Sequence, residues 1–199
     1  MNKFSNNKIL KLFGLSAVLI TVVGLGYFGF KGYQENIAAD IGTSEIIDAD
    51  FDLSSLPDEA QIPDNIEELQ NLSDEQWQER LDPAAYSVLI EGGTEVPFTS
   101  ELLEVMGPGT FVTADCNIPV FRSEQMFETG TGWPSFWAPI DADLIELEPD
   151  ERFGISRTAV KDSVCNSHLG HVFNDAPETP TGLRYCLNGV ALKFIPDAV

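Results

Sequence analysis

The hydrophobic pattern divides the chain into three stretches before any single residue is considered. From Leu12 to Phe30 it runs nineteen residues without a charged side chain. At 1.5 Å rise per residue, a helix of that length just crosses a hydrocarbon core of about 30 Å. Lys3, Lys8 and Lys11 precede it and Lys31 follows, a bias that predicts a cytoplasmic N-terminus and everything later outside. A cleavable signal has a shorter apolar centre and a nearby pair of small residues. Here the nearest such pair, Ala38-Ala39, lies well past the run, so residues 1–34 are expected to stay as a single-pass membrane anchor.

Residues 35–70 carry acids such as Asp48, Asp50, Asp52, Asp58, Glu59, Asp64, Glu67 and Glu68, with Pro57 and Pro63 and no base. Like charge with little apolar surface predicts an extended tether, with room for one short helix over 65–69.

Periodic structure resumes at Ser73, which with Gln76 reads as a capping box. It opens a helix whose Trp77 and Leu81 lie four apart on one face. Asp82-Pro83 starts a second helix with Tyr86, Leu89 and Ile90 on its apolar side, stopped by Gly92-Gly93. Beyond Gly109 the pattern becomes short β-branched and aromatic runs: 110–113, 120–121, 144–147, 155–160, 171–173, 183–187 and 190–195. Asn188-Gly189 between the last two is a strong hairpin signal. The predicted fold is mainly β, antiparallel sheets with short N-terminal helices, over 71–199.

Charge narrows the choice of partners. A net charge of −21 and a pI near 4.1 argue against nucleic acid, which needs a basic face. Three cysteines are too few for a disulfide scaffold, and an odd count leaves at least one thiol unpaired.

Three motifs carry chemistry. Thr181-Gly182-Leu183-Arg184-Tyr185-Cys186-Leu187-Asn188 places a cysteine in a β-rich run. His168-Leu169-Gly170-His171-Val172-Phe173 holds both histidines of the chain. Gly130-Thr131-Gly132-Trp133-Pro134-Ser135-Phe136-Trp137 is a glycine turn feeding aromatic residues. A thiol, two imidazoles and an aromatic wall are the parts of a cysteine-nucleophile site. Each also has a plain structural reading: Cys186 as a small core hydrophobe, the histidines as core or turn residues, Trp133 as core, Asn188 as the hairpin turn. Arg184, two residues from Cys186 on one strand face, is placed to favour the thiolate.

Taken in order, GTGWPSFW, HLGHVF and TGLRYCLN, with Gly93-Thr94-Glu95-Val96-Pro97-Phe98 before them, resemble the B-type, R-specific peptide methionine sulfoxide reductases from about Leu72 to Phe194. The resemblance implies antiparallel sheets and a Cys186 nucleophile that passes through a sulfenic acid. It implies that His168 and His171 bind or protonate the sulfoxide oxygen, that Trp133 packs on the S-methyl group, and that Asn188 lies beside the nucleophile. Oxidised proteins or peptides are the implied substrates, and a thioredoxin-like thiol the implied reductant.

Some features depart from that family. Many members hold zinc in two Cys-x-x-Cys knuckles, which here read Thr113-Ala114-Asp115-Cys116 and Asp162-Ser163-Val164-Cys165. Two thiolates, an aspartate and a threonine are a poor zinc set, so no metal is expected. Because the knuckles face each other in the family, Cys116 and Cys165 are expected to form a disulfide. The resolving cysteine of many relatives is replaced by Thr131, which leaves either an external thiol or recruitment of Cys116 or Cys165. Ala159 stands where relatives often show glutamate, a change expected to weaken substrate polarisation. These losses also allow a non-catalytic binding domain of the same fold. Retention of Cys186, His168, His171 and Trp133 favours the enzyme.

Overall fold

The computed structural model describes residues 51–197. The anchor expected over 12–30 lies outside them, and among the described residues no helix is long and apolar enough to cross a membrane. Three short helices come first: α1 (Ile66–Leu69), α2 (Asp74–Arg80) and α3 (Pro83–Leu89). Eight strands follow: β1 (Gly109–Thr113), β2 (Pro119–Arg122), β3 (Ser135–Phe136), β4 (Ile145–Asp150), β5 (Arg157–Asp162), β6 (His168–Phe173), β7 (Arg184–Leu187) and β8 (Leu192–Pro196). They form a three-stranded sheet, β2-β1-β8, and a five-stranded sheet, β3-β7-β6-β5-β4, with every pairing antiparallel.

The helices begin where the sequence says they should. Ser73 accepts from the Gln76 N–H at 3.4 Å while its own N–H donates to the Gln76 side chain at 2.9 Å, which satisfies two otherwise orphaned donors. Trp77, Val88 and Leu89 turn inward. Gly92, at φ 71°, supplies the left-handed residue that ends α3.

Aromatic rings fill the space between the sheets. Phe111 of β1 meets Phe136 of β3 edge-on at 4.8 Å, and Phe121 of β2 stacks on the same ring at 4.7 Å. Phe121 also approaches Tyr185 of β7 at 5.5 Å. Such contacts add roughly 0.5–1.5 kcal/mol each beyond area burial. They also fix the phase of β7: Tyr185 and Leu187 are buried, so alternation sends Arg184 and Cys186 to the opposite face.

Asn188-Gly189 is not a hairpin turn. The chain leaves the five-stranded sheet at Leu187, makes a 3₁₀ turn over Gly189–Ala191, and enters the other sheet as β8. The local signal is overridden by distant partners: Asn188 donates from its backbone and side chain to the Leu169 carbonyl, both at 2.9 Å. Gly189 is needed for room, because a Cβ there would run into Ser100.

The acidic segment also differs from expectation where it is described. Residues 51–70 are not an extended tether, since Leu56, Ala60 and Leu69 are buried in the common core. Asn117 donates to the Glu59 carbonyl at 2.8 Å and Gln70 to the Val164 carbonyl at 2.5 Å. Apolar residues spaced among the acids suffice to dock the segment while the carboxylates stay in water.

Both of those contacts land on the two turns that carry Cys116 and Cys165, which share one shape. Asn117 and Asn166 each take the left-handed conformation, at φ 57° and 61°, and close their turns onto the carbonyls of Thr113 and Asp162, both at 3.1 Å. Cys116 and Cys165 form a disulfide with Cα atoms 6.6 Å apart. The Asp162 carboxylate accepts from the N–H groups of Val164, Cys165 and Ser167 at 3.0, 2.6 and 2.9 Å. Burial, and then the Asp115 charge, push the Asp162 carboxyl up to about 6. Among the described residues no group of three or more His, Cys, Asp or Glu side chains converges as a metal site.

The cross-link joins the β1–β2 turn to the β5–β6 turn, and so ties one sheet to the other. Its ends are 49 residues apart, which corresponds to about 4 kcal/mol of loop entropy removed from the unfolded chain. Replacing both cysteines by serine is expected to lower the melting temperature by roughly 10 °C. Calorimetry of the oxidised protein beside the double variant checks this, with an unchanged midpoint as the contrary result.

Candidate active site

One transverse row of the large sheet carries the candidate reacting groups. Ser135 of β3 pairs with Cys186 of β7, Cys186 with His171 of β6, His171 with Ala159 of β5, and Ala159 with Glu148 of β4. Directly opposed residues point to the same face, their Cβ atoms roughly 4.5–5.5 Å apart. Cys186 and His171 are therefore neighbours by register alone.

His168 joins them through an irregularity. Residues three apart in a regular strand face opposite ways. Here Val160 pairs with Gly170 but Lys161 with His168, so Leu169 is an extra residue in β6. That insertion returns His168 to the face of His171, with ring centroids 5.3 Å apart. The Leu169 carbonyl is the acceptor used by Asn188.

A carboxylate stands behind His171. Asp150, at the end of β4, is 2.8 Å from His171 Nε2 and accepts from Arg157 at 2.8 Å and from the Arg152 Nε at 2.9 Å. The Arg152 guanidinium, more than any other neighbour, holds the Asp150 carboxyl far below the usual carboxylate range. An ionised carboxylate only accepts, so the proton of neutral His171 sits on Nε2 and Nδ1 carries the lone pair. Burial pushes His171 below its ordinary value against the upward pull of Asp150. Burial also takes His168 down to about 4, and its Nε2 has no hydrogen-bond partner among the described residues. Both imidazoles are thus neutral at pH 7.

Asp150 was not singled out by the sequence, and it changes the meaning of Ala159. The short side chain at 159 leaves a polar cleft of about 410 Å³ beside His168, and Asp150 and Arg152 line it. The site has its carboxylate, delivered from the neighbouring strand.

Cys186 carries a free thiol, half-buried. Burial raises it above the ordinary thiol value; Arg184, then hydroxyl contacts from Thr131 and Ser135, pull the other way without prevailing. Arg184 lies where the sequence placed it, but its guanidinium is also held by Asp175 at 2.9 and 2.7 Å and lies 4.5 Å above the Phe173 ring. Thr131 sets a hydroxyl near the thiol.

Trp133 and Asn188 are joined by a residue the sequence offered only as part of a motif. The Glu95 carbonyl accepts from the Trp133 indole at 3.2 Å, and its N–H donates to the Asn188 side chain at 2.9 Å. The buried Glu95 carboxylate accepts from the N–H groups of Gly189 at 2.6 Å and Val190 at 3.0 Å. The Trp133 loop is closed by Phe98, whose N–H donates to the Gly132 carbonyl at 2.8 Å; a Cβ on Gly132 would strike the Phe98 ring. A glutamate 91 residues upstream thus ties the aromatic wall to the strand that carries Cys186. No local sequence signal marks it, because the partners of its carboxylate are backbone groups distant in the chain.

The structure brings together Cys186, His168, His171 and Arg184, with Trp133 and Asn188 beside them. It does not bring Cys116 or Cys165 to Cys186, since those two are bonded to each other at the sheet-to-sheet staple.

Comparison with known proteins agrees with this geometry. The SelR domain model matches residues 81–196, which includes every one of these groups. The chain is 47% identical over 125 residues to a peptide methionine sulfoxide reductase MsrB of Leifsonia xyli, covering 63% of this chain and 90% of that protein. It is 45% identical over 124 residues to the MsrB of Leptospira interrogans, covering 62% and 94%. The MsrB of Hahella chejuensis is 44% identical over 122 residues, covering 61% and 87%. With more than half its length matched by the family model and nearly the whole of these relatives spanned, the chain belongs to the MsrB family of peptide methionine sulfoxide reductases.

Proposed function

We propose that this protein reduces the R epimer of methionine sulfoxide in oxidised polypeptides to methionine, at the expense of an external thiol. The observation that carries the reading is the cross-strand pairing of a free thiol, Cys186, with a histidine whose tautomer is set by Asp150. The His171 Nδ1 lone pair takes the thiol proton, and Asp150 stabilises the imidazolium formed. The thiolate attacks the sulfoxide sulfur while that proton goes to the sulfoxide oxygen. The oxygen ends on sulfur of Cys186 as a sulfenic acid, and the thioether leaves as methionine. His168 offers a second imidazole to the oxygen. Trp133 gives the methyl group a flat apolar wall, so a polar pocket and an apolar wall on fixed sides accept one configuration at sulfur.

Turnover needs two further thiols. One condenses with the sulfenic acid, releasing water and forming a mixed disulfide; the second reduces that disulfide and restores Cys186. With Thr131 at the resolving position and Cys116 bonded to Cys165, a thioredoxin-like dithiol from outside is the reductant of this scheme. The anchor over 12–30 belongs to the same proposal and sets the domain on the extracytoplasmic side of a membrane. Protease added to cells whose outer layers are opened but whose inner membrane is intact should then digest the domain, and its protection there would reverse the orientation.

With dithiothreitol, the R-sulfoxide of a blocked methionine should be consumed and the S-sulfoxide left. Cys186→Ser should abolish both substrate loss and alkylation of the native protein. Equal consumption of the two epimers would remove the reading.

Asp150→Asn isolates the carboxylate. It is expected to lower turnover by about 10²–10⁴, the range seen when an imidazole loses the group that orients it. His171→Ala should fall in the same range, and the double variant should lose little more than either single one. Additive losses would show that Asp150 does not act through His171.

A further inference from the structure

A second cleft, not used in the chemistry above, opens on the β3 side of the site. It holds about 690 Å³, within the roughly 300–1,000 Å³ of cavities that enclose ligands much larger than one side chain. Its walls are apolar: Phe98, Val105, Pro108, Met126, Phe127 and Trp133. It shares Trp133 and Ser135 with the reacting face, and Ser135 is the cross-strand partner of Cys186. Next to it, Phe98 is 69% and Met106 91% exposed, an apolar surface that water does not favour and that marks a contact site. Two methionines give it the adaptable character of surfaces that accept varied side chains.

Its rim is acidic. Glu124 and Glu128 line the cleft, and Glu101 and Glu104 sit on the 3₁₀ turn that leads into Val105. Arg122, the base beside Glu124, is shared with Asp197 at 2.6 Å. Glu128 has no ion-pair partner among the described residues. An apolar floor under a negative rim complements a segment that carries both an apolar and a cationic side chain.

We propose that this cleft is the subsite for the residues flanking the oxidised methionine. It selects polypeptide segments in which an apolar side chain and a lysine or arginine lie within two positions of the sulfoxide. The inference rests on the reductase reading and adds the sequence context of its substrate. A blocked methionine sulfoxide engages Trp133 alone; a flanked one extends from Trp133 along the cleft in the direction of Val105 and Pro108.

Steady-state kinetics of the full chain with dithiothreitol tests this. The substrates are blocked methionine R-sulfoxide and four pentapeptides with R-sulfoxide at the centre, flanked on both sides by Leu then Lys, Ser then Lys, Leu then Glu, or Ser then Glu. The Leu–Lys peptide should exceed the Ser–Glu peptide in kcat/KM by about tenfold or more, mostly through KM, as expected for one buried aliphatic side chain and one favourable charge. Raising the salt should shrink the Lys-over-Glu preference and leave the Leu-over-Ser preference. Glu128→Lys should cancel the first and Val105→Asp the second, with turnover of the blocked residue and the circular dichroism spectrum retained. Equal kcat/KM across the four peptides, with the blocked residue turned over, would overturn the cleft's role alone. No turnover of any substrate would overturn the reductase reading, and this one with it.

Discussion

The phase of β7 is the constraint on which the site depends. A strand offers its residues alternately to two faces, and the choice between the phases is made by whatever must be buried. Tyr185 and Leu187 settle it by packing against the interior, Tyr185 within reach of the Phe121 ring. Cys186 faces outward as a result, opposite His171, and the proposed proton transfer rests on that pairing. A slip of one residue would bury the thiol and expose a tyrosine, so the energy of the core and the direction of the nucleophile are one decision.

The second layer of control is charge. The buried Asp150 carboxylate at the end of β4 is paired with both Arg157 and Arg152, and His171 is tuned by contact with that cluster. Burial depresses both imidazoles and raises the thiol, so these three groups rest uncharged at neutral pH. In the mechanism proposed above, ions arise in pairs, by transfer of a proton from sulfur to nitrogen, and vanish in pairs when the oxygen is protonated.

Much of this was legible in the sequence, and what was not has physical reasons. The capping box at Ser73, the strand-rich C-terminal half, the triplet of motifs and the Cys116–Cys165 link depend on local chemistry or on the family resemblance, and all are present. The Asn188-Gly189 hairpin was misread because a turn propensity of a few tenths to one kcal/mol yields to the hydrogen bonds Asn188 makes with Leu169 and Glu95. The roles of Glu95 and Asp150 carry no local signal, because Glu95 reaches Asn188 and Gly189 across 93 and 94 residues and Asp150 reaches His171 across 21. The docking of residues 51–70 was hidden by the acids around Leu56, Ala60 and Leu69, whose burial is decided by the surface that receives them.

The inserted Leu169 has a consequence for how the two-histidine motif should be understood. A spacing of three is a helical spacing, yet here it serves a strand, because the irregularity is written into the motif between the two imidazoles. Gly170 completes it, since any side chain there would collide with the Cys186 carbonyl. The four residues from His168 to His171 are therefore a self-contained joint rather than two ligands that happen to be close. Moved as a block to another antiparallel strand with a partner that tolerates the extra residue, they would carry their geometry along. Placed singly at the same spacing on a regular strand, the same two histidines would look away from each other.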